Sequence, residues 1–235
     1  MEKVTFSPLG LDAIVIDFGE TVSVERNLEI LNCKAAIEAA TIPGFIEALP
    51  AYTTLTIFYD PIIVGSNFPY EKIKKSIQAI SLSIQTSVIQ KKVKEIPVCY
   101  EEPFAPDLEF VANHHHISID EVVNLHSQAT YHIYFLGFSP GFPFLGGMDS
   151  RIATSRRSSP RLHVPAGSVG IAGGQTGIYP LDSPGGWQII GRTPLQLFNI
   201  SKESPTFLLP GEQIRFIPIS KDEFQNWEGP AWQSG

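Results

Sequence analysis

From Tyr131 onward the chain is cut into short β-prone runs, YHIYFLGF, GSVGIAG, WQIIG, LQLFNI, TFLLP and IRFIPI, each bounded by glycine or proline. Glycine weakens a helix and proline breaks its hydrogen bonding, so this half cannot build long helices. Many short strands at close spacing with turn punctuation predict a closed or nearly closed β-barrel. One helix precedes it. In ISIDEVVNLHSQA (117–129), Ser118 stands three residues before Glu121, a capping-box spacing, and Val122, Leu125 and Ala129 share one face.

The first ninety residues read differently. AIVIDFG (13–19) is a short β-branched strand, and Leu28, Leu31, Ala35 and Ala39 recur at helical steps. GFIEAL (44–49) and TTLTIFY (53–59) are two strands split by Pro50. Ile73, Ile77 and Ile80 mark a second helix, and SVIQKKVKEI (87–96) a further strand. The order β-α-β-β-α-β predicts a ferredoxin-like antiparallel sheet with two helices on one face. KKVKEIP (91–97) is polar and ends in proline, so the expected domains are residues 1–91 and 92–225, followed by a tail, 226–235.

A 235-residue chain that is 43% apolar and 17% charged is a folded protein able to bury a substantial core. The net charge of −7 is spread without acidic or basic blocks, which argues against nucleic acid and anionic membrane as partners. Cys33 and Cys99 lie outside any metal or redox spacing. With no targeting pattern at Met1–Val4 and no apolar run of about 18 residues, a cytoplasmic protein is expected.

The Gly/Pro-rich segments GFSPGFPFLGG (137–147), 155–187 and GRTP (191–194) read as ordered loops that let backbone amides approach a ligand. They carry Arg156, Arg157, Arg161, Arg192, Gln175, Thr176, Tyr179 and His163, groups able to grip an anion or an amide. Arginines that merely tie loop carbonyls would look the same. AGSVG (166–170) lacks the first glycine and the strand-turn-helix setting of a nucleophile elbow, so Ser168 is read as a turn or barrel residue. GGQTG (173–177) is followed by no Lys-Ser/Thr pair and no helix, so it is not a P-loop, although it could form a backbone nest. The three imidazoles of HHH (114–116) cannot readily face one ion, so no metal site is expected. His126 sits on the apolar side of its helix, where a hydrogen-bonded structural histidine and a general acid or base are the two readings.

HSQATYHIYFLGFSPGFPFLGGMD together with RRSSPRLHVPAGSVGIAGGQTGIYPLDSPGGWQIIGRTPLQLF resembles the KipI family, also called allophanate hydrolase subunit 1 or the B component of 5-oxoprolinase (PxpB). The likeness continues through EIPVCYE, APDLEFVA and PLGLDAIVIDFGE, leaving out only about the last dozen residues. Three positions depart from the family pattern: Gly10-Leu11-Asp12-Ala13 stands for Gly-Asp-Ser-Ala, Phe144 for a tyrosine, and Ser155-Arg156 for Pro-Arg. The resemblance implies a ferredoxin-like domain followed by a cyclophilin-like barrel. It also implies an ATP-dependent 5-oxoprolinase that opens 5-oxo-L-proline to L-glutamate. The implied partners are a C component like KipA or allophanate hydrolase subunit 2, and an A component like the LamB/YcsF proteins.

A lactam resists hydrolysis through amide resonance, and phosphorylating its oxygen would create the missing electrophile. The catalytic candidates are His126, Arg161, Gln175 and Tyr179; the candidates for holding substrate or nucleotide are Arg156, Arg192, Gly173, Gly174, Thr176, Phe142 and Pro165. ATP with Mg²⁺ would be shared with or bound by the partners, with no tightly bound cofactor in this chain. No residue stands out as nucleophile or base, so this chain alone is expected to be inactive. The alternatives are an inhibitor of a sensor histidine kinase, as a Bacillus member of the family is, or the carboxyltransferase-like half of a biotin-dependent urea carboxylase. A peptidyl-prolyl isomerase has only the barrel in its favour. The apolar 137–147 lip, with Phe138, Phe142 and Phe144, would either exclude water from a pocket or pack on a partner.

Overall fold

The structure, a computed structural model, describes residues 4–81 and 93–228. The chain separates into two compact units, Met1–Gln90 and Lys91–Gly235.

The first unit runs β1 (Thr5–Leu9), β2 (Ala13–Asp17), α1 (Val24–Ala39), β3 (Phe45–Pro50), β4 (Thr54–Tyr59), α2 (Pro61–Val64) and α3 (Pro69–Ser81). Its four strands pair antiparallel in the order β1-β2-β4-β3. Ser23 caps α1 by accepting from the Arg26 amide, and Ile30, Cys33 and Ile37 of that helix are buried in a core with Ile14, Ile16, Leu55 and Ile57. The β-α-β-β-α run of the expected ferredoxin-like pattern is present, but the pattern differs at both ends. The edge beside β2 is taken by β1, a largely exposed strand containing Pro8, whose missing amide and weak alternation hid it in the sequence. The strand expected over 87–96 falls partly on residues 82–92, outside the described residues. Its remainder belongs to the second unit, because Ile96, Val98 and Cys99 are buried there on both faces of a strand.

In that unit β5 (Lys94–Cys99) is followed by α4 (Leu108–His115), α5 (Ile119–Gln128), β6 (Tyr131–Leu136), β7 (Pro143–Gly146), a 3₁₀ turn at Ser150–Ile152 and β8 (Arg161–Val164). Then come β9 (Ser168–Ala172), β10 (Gln175–Ile178), β11 (Ser183–Gly185), β12 (Gln188–Arg192), β13 (Gln213–Ile219) and α6 (Lys221–Gln225). Seven strands close into a barrel, β10-β7-β6-β13-β5-β12-β9, sealed by the antiparallel β9–β10 hairpin; β5 and β13 are its parallel pair. The predicted barrel is therefore present. Ile96, Val98, Ile133, Ile171, Ile178, Ile190 and Phe216 fill its interior. Helix α5, capped by Ser118 accepting from the Glu121 amide, packs on β13, and α4 packs on α5 and β12. β8 and β11 form a separate two-stranded ribbon.

Candidate functional site

Outside the barrel interior a second apolar cluster joins Phe142, Val164, Ala172, Tyr179, Trp187 and Ile189. Phe142 meets Tyr179 and Trp187 edge-on, with centroids 5.4 Å apart in both pairs. Two glycines make the arrangement possible. A Cβ on Gly177 would come within 2.8 Å of the Phe142 ring, and one on Gly185 within 2.5 Å of the Tyr179 hydroxyl. In front of the cluster lies a hollow of about 210 Å³ walled by Phe138, Phe142, Phe144, Tyr179 and Trp187, with Arg156 as its charged group. Phe138 holds its place on left-handed backbone, φ +65°, with its ring edge-on to Phe142 at 5.5 Å and 68% of the residue exposed. A bulky residue seldom adopts that conformation unless the surroundings enforce it. Burial raises the Tyr179 pKa, while the Trp187 amide, Arg156 and Arg161 pull the other way, so its hydroxyl is a neutral group in a positive field.

Behind the hollow the loop 155–161 is fastened to the first turn of α4. Asp107, 3% exposed, accepts from Arg157 at 2.9 Å and Arg161 at 2.7 Å through one oxygen, and from the Ile189 amide at 2.6 Å through the other. Its own amide donates back to the Ile189 carbonyl at 2.9 Å. Arg156 lines the hollow and makes no hydrogen bond or ion pair with any described residue. A small ligand with an apolar ring and one carboxylate matches this combination of aromatic walls and an uncommitted guanidinium.

Residues 4–208 match the carboxyltransferase domain, subdomain C and D. The chain belongs to that family. This carboxyltransferase-domain protein is 45% identical to the B subunit of 5-oxoprolinase from Bacillus subtilis (strain 168), over 94% of its own length and 95% of that protein's. It is 37% identical to the B subunit of 5-oxoprolinase from Escherichia coli O157:H7, over 93% and 97%. Among solved structures, TTHA0988 superposes with a TM-score of 0.78 at 35% identity, over 93% of this chain; this chain spans 41% of that longer one.

The structure does not gather the expected arginines and amides around a single cavity, and this corrects the rim expected from the sequence. Arg156, Tyr179 and Phe142 do line one hollow. Arg161 is committed to Asp107. The Arg192 Nε donates to the Ala166 carbonyl at 2.8 Å, the plain loop-tying role. Pro165 accepts from the Ser168 amide in the same turn, and Asp182 closes it by accepting from the Ala166 amide at 2.7 Å and meeting His163 at 3.1 Å. Gln175 opens β10, opposite Ala172, while Gly173 and Gly174 are the two-residue turn before it. Nothing lies within 4 Å of a Cβ on either glycine, and a strand rather than a helix follows, so the turn offers no helix N-terminus to a phosphate.

His126 is corrected as well. It is fully buried, stacked on Phe216 at 4.4 Å, with burial driving its pKa down to about 3. The Thr176 hydroxyl gives its one proton to the Gly170 carbonyl at 3.1 Å, so it accepts from His126 Nε2 at 2.9 Å. His126 Nδ1 then accepts from the Tyr100 hydroxyl at 2.8 Å, the tyrosine staying protonated because burial raises its pKa well above the ordinary value. Every proton is used, and no solvent reaches the ring. His126 and Thr176 hold α5, β9 and β10 together. Of the three consecutive imidazoles, His114 stacks near Phe110, His115 bonds Thr154 at 3.0 Å, and His116 caps α4 with φ +56°. They diverge, and among the described residues no three His, Cys, Asp or Glu side chains are grouped to hold a metal.

Sequence reasoning missed Asp107 and Trp187. Asp107 precedes a helix and looks like a cap, yet its side chain makes no capping bond and is turned to the arginines. A signal existed in the imbalance of Arg156, Arg157 and Arg161 within six residues that hold no acid.

Proposed function

We propose that this protein is the B component of an ATP-dependent 5-oxoprolinase that, with its A and C components, hydrolyses 5-oxo-L-proline to L-glutamate. The observation that carries this is the 45% identity to the B subunit of a 5-oxoprolinase over nearly the full length of both chains. The hollow supports it. 5-Oxoproline is a small ring bearing one carboxylate, the chemistry that Arg156 and the walls of Phe142, Tyr179 and Trp187 would receive. Transfer of the γ-phosphoryl group of ATP to the lactam oxygen, with ADP leaving, would open the ring carbon to water; collapse of the water adduct would then release inorganic phosphate, break the C–N bond and leave the amine of glutamate protonated. The described residues around the hollow include no carboxylate or histidine to serve as base, so the water-activating group is assigned to a partner chain, and Mg²⁺ to the nucleotide's phosphates and that partner. Phe138, exposed at the mouth, would be covered when the partner docks. The two-unit architecture of this reading is a ferredoxin-like domain and a cyclophilin-like barrel in a cytoplasmic complex.

The test is reconstitution. This protein is mixed with candidate LamB/YcsF-like and KipA-like partners from the same organism, and glutamate is measured from 5-oxoproline with and without ATP. The reading expects glutamate only with all three proteins and ATP. A complete mixture that forms none, or that instead supports urea carboxylation or lowers the autophosphorylation of a histidine kinase, overturns it.

A further inference from the structure

A second hollow, about 330 Å³, opens on the other side of Arg156, between α4 and the 154–158 segment. The reading above leaves it unused. Its lining includes Phe110, His114, Ser155, Arg156, Arg157 and Ser158. Three guanidinium groups lie within residues 156–161, and Asp107 is the one carboxylate that pairs with any of them among the described residues. Two positive charges are left on this face of a chain whose net charge is −7. Donors are in surplus too, since Arg157 Nε and Arg161 Nη1 are buried without an acceptor.

A carboxylate in the first hollow answers one charge; the other, together with the surplus donors, is left for a second anion. Ser155 and Ser158 line it with hydroxyl donors beside the guanidinium forks, the set that recognises tetrahedral phosphoryl oxygens. At its edge Phe110 is 53% exposed and lies nearly parallel to His114, 15° between planes with centroids 6.0 Å apart, offering a flat π-face to a base. We propose that this second hollow takes the phosphoryl groups of a nucleoside triphosphate, with Arg156 shared between it and the carboxylate-binding hollow. The inference rests on the 5-oxoprolinase reading only for what the nucleotide does there. It places donor and acceptor on the two sides of one arginine.

Calorimetric titration of the full chain with ATP, with and without Mg²⁺, and separately with inorganic phosphate, tests it. ATP should bind. Ser158→Asp, an exposed change that puts a carboxylate in the second hollow alone, should lower ATP affinity at least about tenfold. Phe110→Ala should weaken ATP about fivefold and leave inorganic phosphate unaffected, which separates a nucleotide from a free phosphate. A wild-type chain that binds neither ligand, phosphate binding without ATP binding, or a Ser158→Asp chain that binds ATP as the wild type does overturns the proposal. Glutamate formation by a complex whose Ser158→Asp form keeps wild-type dependence on ATP sinks this inference and leaves the 5-oxoprolinase reading standing. Ser158-sensitive ATP binding without any glutamate formation does the reverse.

Discussion

Asp107 and Arg161 stand 54 residues apart in the chain and meet at 2.7 Å, on the same carboxylate oxygen that Arg157 reaches at 2.9 Å. The pair ties the arginine-bearing loop to α4 and to the Ile189 backbone, so the loop's shape depends on one buried acid. Removing that acid strands two guanidinium groups and a buried amide. Asp107→Asn should cost about 3 kcal/mol of stability in chemical denaturation. Arg161→Gln should cost less, its side chain being 25% exposed. An Asp107→Asn protein as stable as the wild type would contradict this account.

Arg156 has no partner to lose among the described residues. Arg156→Gln should therefore leave the thermal midpoint unchanged while lowering kcat/KM of the reconstituted enzyme about a hundredfold. Arg192→Gln frees only the Ala166 carbonyl, which solvent can satisfy, and should cost activity less than Arg156→Gln does. The reverse ranking would move the site to the 166–192 turn.

His126 makes stability depend on pH in a stated direction. Its folded pKa, about 3, lies below the ordinary 6.5, so the folded protein favours the neutral ring. Stability is full above pH 6.5 and declines as pH falls from 6.5 toward 3, because the unfolded chain takes up a proton that the folded one refuses. The decline attributable to this ring is roughly 5 kcal/mol. Denaturation midpoints of wild type and His126→Gln measured from pH 7 to 4 should diverge in slope by one proton, glutamine retaining a donor and an acceptor for Thr176 and Tyr100. Equal slopes would show that the ring takes no part in the acid loss.

Phe138 gives a different signature. At φ +65° glycine relieves backbone strain and alanine does not, while both remove the ring. Phe138→Gly should be more stable than Phe138→Ala by about 1 kcal/mol, and both should bind 5-oxoproline more weakly. An alanine variant at least as stable as the glycine one would mean that the left-handed backbone carries no strain.

Signals of local range were legible along the chain. The Ser118 cap and the helical steps of α1 and α3 act over a few residues and produced helices, although α1 buries Ile30, Cys33 and Ile37 rather than the Leu28, Leu31, Ala35, Ala39 stripe. The punctuated runs produced β6, β9, β12 and β13, but LQLFNI and TFLLP meet only in an isolated Phe198–Thr206 bridge. The expected loops 137–147 and 155–187 hold the barrel strands β7 and β10, where the missing side chain of Gly177 makes room for the Phe142 ring. Lys94–Cys99 shows where that range ends. Its short apolar run marks a strand, but its choice of β13 over the N-terminal sheet depends on Ile214 and Phe216, more than a hundred residues away.

The same division separates the candidate residues. Residue chemistry pointed to the arginines of 156–161 and to Phe142 and Tyr179, because charge and aromaticity are carried by the side chain itself. Which guanidinium stays uncommitted was settled by folding, when α4 brought Asp107 against Arg157 and Arg161 and passed Arg156 by. An ion pair is a matter of a few ångströms in space, and separation along the chain says nothing about it. His126 was sealed for the same reason: Tyr100 and Thr176 reach its two nitrogens from opposite directions only after the barrel has closed.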